Sequence, residues 1–198
     1  MTSKSSEAPQ SAAKARRDSI LDAAVKEFGR NGYRKTSIED LAAAADISKQ
    51  GLYLHFAGKN EVFLAAMQKY LDDCMVLVDK ALGRADLSLV DRLTAALDAW
   101  FGRHLATFSP ASFDVIVTGD QLSPAAVEEV KGRFMERIAR ALAASPEFTA
   151  SGANRSAKEV AQVLFLCGLT WKEGSPSPRE FSERLRLCVC VCCHVKKE

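Results

Sequence analysis

Histidine is scarce in this chain: His55, His104 and His194 are the only ones, and they lie far apart. A nucleophile, a base and an orienting third group cannot be assembled from such scattered residues, which argues against an enzyme. A strong charge of one sign is also missing. Against 25 Asp and Glu stand 27 Lys and Arg, a net of +2, so the whole chain is no electrostatic magnet for polyanions. No apolar run reaches the ~18 residues needed to span a bilayer. The opening MTSKSSEAPQSAAK lacks the apolar core of a secretory signal. The expectation is a cytoplasmic protein with no membrane partner, whose six cysteines stay reduced. Internal repeats, low-complexity tracts and strand-rich segments are absent as well.

What is present reads as globular and helical. With 47% hydrophobic and 26% charged residues over 198 positions, there is enough chain for one large domain or two small ones. Residues 1–15 read as a disordered arm, with Lys14 and the adjoining Arg16 and Arg17 basic enough to touch phosphates. The first sixty residues carry ten Lys/Arg and seven Asp/Glu, 10 − 7 = +3, a mild local excess compatible with DNA. Ile20, Leu21, Ala24, Val25 and Phe28 recur at helical spacing, and Gly32 is placed to stop that helix. Thr36-Ser37-Ile38-Glu39 reads as a capping box opening a second helix to Ala44. After the tight connection Asp46-Ile47, Ser48 caps a third helix, Lys49 to His55, with Leu52 and Phe56 facing inward. A long helix from Lys59 to Leu82 follows. Beyond it, helices are expected over Leu89–Phe108, Pro124–Ala144, Ser156–Trp171 and Arg179–Val195, with Ser145–Asn154 a loop. Ser112–Thr118 is ambiguous, since Phe113-Asp114-Val115-Ile116-Val117 suits a strand by propensity.

The third helix carries the chemistry. In a helix-turn-helix the second helix of the pair points its first residues at base edges in the major groove. Lys49, Gln50, Tyr53 and His55 are the outward candidates, and Gly51 permits close approach to the duplex. Gln50 can read adenine through paired hydrogen bonds, and Lys49 can reach guanine O6 and N7. Tyr53, His55 and Lys59 suit phosphates, as do the helix N-termini at Thr36-Ser37 and Ser48. The bland reading is a three-helix cluster with solvated Lys and Gln.

Phe28-Gly29-Arg30-Asn31-Gly32-Tyr33, then Thr36-Ser37-Ile38, then Ile47 to Phe56, then Lys59-Asn60-Glu61 resembles the TetR family of transcriptional regulators. Several motifs stand in the right order, though they cover only the first third of the chain. The resemblance implies an all-α chain: a three-helix helix-turn-helix DNA-binding domain at 16–60, followed by a helical ligand-binding and dimerisation domain at 61–198. It implies phosphate contacts from Thr36 and Tyr53, base reading by Lys49 and Gln50, and backbone anchoring by His55 and Lys59. The implied partners are operator DNA, a second copy of the chain and a small apolar or amphipathic effector that releases the DNA, so that the protein acts as a repressor. No cofactor is implied.

Two heads about one DNA turn apart, 34–36 Å, would be sensitive to any ligand that changes their spacing, with the helix from Lys59 as the rod between pocket and head. Trp100, Phe101, Phe108, Phe113, Phe134, Phe165 and Trp171 could wall the pocket, with His104, Asp114 or Thr118 orienting a ligand. Plain core is the commoner fate of such aromatics. In the last two helices Val160, Val163, Leu164, Leu166 and Cys167, with Phe181, Leu185, Cys188 and Cys192, are apolar enough for a dimer interface. Cys190-Val-Cys192-Cys193-His194 matches the C-x-x-C-H string of haem attachment, a reading the missing export signal disfavours. Small apolar packing is the favoured role of these cysteines. The alternative is a thiol- or metal-responsive regulator, or a metal-binding protein, using Cys188 and Cys192 one helical turn apart.

Overall fold

The computed structural model describes residues 7–109, 114–149, 155–174 and 177–193. The regular structure among these residues is all helical, with no strand, and no helix among them is long and apolar enough to cross a membrane. By packing, the chain divides into two bodies, Met1–Leu71 with Thr107–Pro124, and Asp72–Ala106 with Ala125–Glu198. The break expected at residue 60 thus falls later, and the first body takes in a distant segment.

The first body holds α1 (Glu7–Asn31), α2 (Ile38–Ala44), α3 (Lys49–Tyr53), the start of α4 (Lys59–Leu82) and α7 (Asp114–Leu122). Its core is the α1 stripe Ile20, Leu21, Ala24, Val25 and Phe28, with Leu41, Leu52, Phe56, Val62 and Phe63. Helix α1 runs back to Glu7, inside the stretch expected as an arm. Pro9 falls in its first turn, where a missing N–H costs nothing, and Ala12, Ala13 and Lys14 are strong helix formers. Of the ambiguous segment, residues 112 and 113 lie outside the described residues and 114–118 open helix α7, because Val115 and Thr118 bury one face at helical spacing.

The second body holds the remainder of α4, then α5 (Leu89–Leu97), a π-turn at Asp98–Gly102, α6 (Arg103–Thr107), α8 (Pro124–Ala143), α9 (Pro146–Thr149), α10 (Ala157–Gly174) and α11 (Pro178–Cys193). The single helix expected over Leu89–Phe108 is therefore interrupted. The wider turn lets the consecutive Trp100 and Phe101 both point inward, which a regular helix does poorly. Within the expected loop 145–154, Pro146 starts the short α9.

Candidate nucleic-acid interface

The reading helix is fixed from behind and from both ends. Leu52 is 0% exposed and Phe56 2%, so the back of α3 is core. At its start the Ser48 hydroxyl accepts from Gly51 N–H at 3.0 Å, a side-chain N-cap. Gly51 packs against this hydroxyl; a Cβ there would lie 3.3 Å from Ser48 Oγ. At the far end Arg17 of α1 donates to the His55 carbonyl at 3.0 Å and lays its guanidinium 4.2 Å from the Phe56 ring centre. Arg17 is thus engaged with its own chain rather than set out as an arm.

The turn between α2 and α3 has a defined geometry. Asp46 N–H donates to the Ala43 carbonyl and Ile47 N–H to the Ala42 carbonyl, with Asp46 at φ 52. This is a Schellman closure with aspartate in the left-handed position, which its short polar side chain tolerates better than most. The capping box of α2 differs from the sequence reading. Ser37 is the N-cap, and its partner is Asp40 rather than Glu39: the hydroxyl accepts from Asp40 N–H at 3.1 Å, and the Asp40 carboxylate accepts from Ser37 N–H at 2.9 Å. Hydrogen bonds from the Ser37 hydroxyl and then its N–H hold the Asp40 carboxyl below its usual range.

Thr36 needs correction as a phosphate contact. It is 1% exposed, and its hydroxyl donates to the Gly32 carbonyl at 2.7 Å. Lys59 donates to the Thr36 carbonyl at 2.9 Å while its ammonium stands 4.3 Å from the centre of the Tyr33 ring. The Tyr33 hydroxyl donates to Asn60, and its ring packs on Phe28 and Phe63. Much of the motif is therefore an internal bracket holding the α1–α2 turn against the start of α4. Gly32 sits at its centre with φ +82, and a Cβ there would overlap the Asp114 carboxylate.

Asp114 is the participant that sequence reading did not place here. Its two oxygens accept from Tyr33 N–H at 3.0 Å and Arg34 N–H at 2.8 Å. Beside it Ser109 N–H donates to the Gly29 carbonyl at 2.9 Å and Ser109 Oγ to the Arg30 carbonyl at 3.1 Å. Asp114 and Ser109 thus cap the C-terminal end of α1. A contact between residues eighty apart leaves no mark in local sequence.

Lys49 and Gln50 are exposed, and Tyr53 is 48% exposed. His55 is half-buried, its ring tilted beside Phe56. Leu54, which sequence reading passed over, is 86% exposed at the end of the helix, where an apolar side chain can meet a thymine methyl. Lys49 is hydrogen-bonded to Glu39 of α2. That bond lowers the Glu39 carboxyl and raises the Lys49 ammonium, so the lysine is cationic at neutral pH.

Of the seven aromatics expected to wall a pocket, four gather. Trp100 and Phe134 stack at 4.7 Å, Phe101 lies 5.4 Å from Phe165, and Phe134 lies 6.0 Å from both Phe101 and Phe165. These four rings pack on one another in the second body, and Phe101 presses so close to Gly168 that a Cβ there would overlap its ring. Phe108 belongs to the first body, edge-on to Tyr70 at 5.2 Å. His104 is half-buried, whereas Phe113 and the Trp171 side chain lie outside the described residues. Among the described residues no three His, Cys, Asp or Glu side chains are grouped to hold a metal.

Residues 20–66 match the family model described as bacterial regulatory proteins, tetR family. The transcriptional activator FasR of Mycolicibacterium smegmatis is 37% identical over 86 residues, 43% of this chain and 39% of its own length. The transcriptional repressor ComR of Escherichia coli is 39% identical over 56 residues, 28% of this chain and 27% of its own. The chain therefore spans well under half the length of these curated relatives. Among solved structures, a TetR-like transcriptional regulator from Rhodococcus sp. RHA1 is 25% identical with a TM-score of 0.65, covering 91% of this chain and 97% of that one. The reading head and its order of motifs agree, and the helices that follow share the fold of TetR-like regulators: residues 20–66 are a reading head of the TetR family of bacterial regulatory proteins.

Proposed function

We propose that this chain is a ligand-responsive, sequence-specific DNA-binding transcriptional regulator, a cytoplasmic homodimer that represses and leaves its operator when a small apolar or amphipathic effector binds. The observation that carries the reading is the exposed Lys49–Gln50–Tyr53 face of α3 over a buried Leu52. In this reading Lys49 and Gln50 meet base edges and Tyr53 and His55 meet phosphates. The Ser37 and Ser48 N-termini offer backbone N–H groups, and Lys59 acts through the turn it braces. Thr36 can contribute only through its main chain.

Dimerisation is supported by the side chains left uncovered on the last two helices. Val163, Leu166 and Leu169 of α10 and Leu187 and Val191 of α11 are 40–62% exposed. The residues available for an interface are thus not all those expected, because Val160, Leu164, Phe181 and Leu185 are spent inside the protomer. In this reading the effector chamber lies in the second body. Repression is the simpler mechanism, since a DNA-bound clamp blocks a promoter without any further contact.

A gel-shift titration against the DNA upstream of its own gene tests the core claim. Tight binding that weakens steeply with salt and is lost on scrambled DNA is expected. Gln50→Ala should relax preference at one base pair by about 1–3 kcal/mol. Equal loss on every sequence would contradict its base-reading role.

A further inference from the structure

The thiols at the end of α11 have no part in the reading surface. Cys188 and Cys192 stand four residues apart on one stripe of that helix, with Sγ atoms 3.9 Å apart and sharing a hydrogen. Cys188 is buried and also contacts Cys167 of α10, whereas Cys192 is partly exposed. Arg155, just before α10, brings positive charge towards Cys192. We infer that Cys188 and Cys192 form a peroxide-oxidisable pair, Cys192 the attacking thiolate and Cys188 the resolving thiol.

The electrostatics divide the two roles. The hydrogen bond from Cys188, then the Arg155 charge, bring the Cys192 thiol down to about 7. The same hydrogen bond, with burial, pushes Cys188 up, so it keeps its proton. Burial pushes the neighbouring Cys193 up to about 12. A low, accessible thiol beside a protonated second one is the arrangement that oxidation-sensing cysteines use.

The steps balance with hydrogen peroxide as oxidant. Cys192 Sγ⁻ attacks one peroxide oxygen; the O–O bond breaks and hydroxide leaves, taking a proton to become water. Cys192 is then a sulfenic acid. Cys188 Sγ attacks the Cys192 sulfur, an S–S bond forms, and the S–O bond breaks. The departing hydroxide carries the Cys188 proton away as a second water. Both sulfurs are oxidised, and the peroxide is reduced to water.

Closing this bond strains the helix. Residues four apart on an α-helix hold their Cβ atoms about 5–6 Å apart, whereas disulfide Cβ atoms stand about 3.5–4.5 Å apart. Since α11 ends at Cys193, its last turn is the part that must give. Oxidation therefore redraws the surface at Val191, which is 62% exposed. The thiol chemistry stands apart from DNA binding; only its effect on a dimer rests on the function proposed above.

The test uses the reduced full chain and no DNA. After brief exposure to hydrogen peroxide, free thiols are alkylated and peptides mapped by mass. An intramolecular Cys188–Cys192 bridge, reversed by dithiothreitol, is expected. In Cys188→Ser, dimedone should trap sulfenic acid at Cys192. Before oxidation, iodoacetamide should modify Cys192 about threefold faster at pH 7 than an ordinary exposed thiol, the gain in thiolate being partly offset by lower nucleophilicity. Buried Cys74 should react last. A bridge to any other cysteine, a bridge between two chains, or six free thiols after treatment would overturn the inference. Should Cys188→Ser fail to fold, the wild-type map alone decides.

Discussion

The reading helix α3 and the paired helices α10 and α11 both present large side chains to solvent, but they do so under opposite constraints. Around α3 the exposed groups stand on a bracket of hydrogen bonds: Ser48 to Gly51, Arg17 to His55, Lys59 to Thr36 and Asp114 to Tyr33 and Arg34. The backbone is fixed first, and the outward side chains inherit its precision. On α10 and α11 the exposed Val163, Leu166, Leu169, Leu187 and Val191 lie beside buried Val160, Leu164, Leu185 and Val189 on the same helices. Here apolar side chains point both ways, so the outer stripe is surplus to the protomer's own core. A polar surface held rigid suits recognition of a fixed lattice of phosphates and base edges; an apolar stripe with no cover suits another such stripe.

That contrast can be broken by substitution. The largest effect is expected from Leu52→Ala, which removes the back of the reading helix. A loss of about 2–5 kcal/mol, typical of a buried Leu→Ala change, should lower Tm and abolish operator binding. Near-normal binding would mean that α3 does not depend on its buried face. Next comes Val191→Asp on the uncovered stripe. On the proposed dimer, sedimentation should show this variant shifted to monomer relative to the parent, while protomer stability moves by only about 0.5 kcal/mol or less, as at an ordinary surface site. Unfolding instead would show that this stripe serves the protomer after all.

Asp114→Ala sharpens the first half of the comparison. It strips acceptors from two backbone N–H groups of the α1–α2 turn, at a cost of about 1–2 kcal/mol, without touching any outward side chain. DNA affinity and Tm should fall together, and amide exchange at Tyr33 and Arg34 should quicken. Unchanged exchange at those two amides would remove Asp114 from the bracket. The smallest effect concerns Asp98 on the π-turn, where burial raises the carboxyl above its ordinary 3.8. A raised folded value means that the folded chain holds this proton more tightly. Stability then falls as pH climbs through the window above 3.8, and the deficit persists at neutrality. Asp98→Asn should therefore raise Tm slightly at pH 7, with the gain vanishing below that window. A gain that persists in acid would point to packing instead of charge.

Local signals were read well from the sequence, and distant ones were not. Helix α4 has the bounds its spacing implied, and Ser48 caps as expected, because a cap depends on residues within one turn. Asp40 displaced Glu39 in the box since register at N3 shifts with a single residue of helix start. The outward Lys49 and Gln50 were legible because Leu52 and Phe56 had to face in. Thr36 misled because a hydroxyl at a helix start resembles a phosphate donor until its burial is known. Asp114 was invisible for the reason already given: its partners lie on the far side of five α-helices in sequence. The aromatic residues were legible as apolar but not as neighbours, so four of them turned out to share a core and Phe108 to belong elsewhere.

The excursion of Thr107–Pro124 into the first body limits how this head can be reused. A graft cut after Leu71 would leave behind Ser109 and Asp114, and with them the clasp on the end of α1. A chimera that transplants this specificity onto another chassis must carry both pieces, or import a host segment with an acidic side chain at the matching place. The module, in the engineer's sense, is discontinuous.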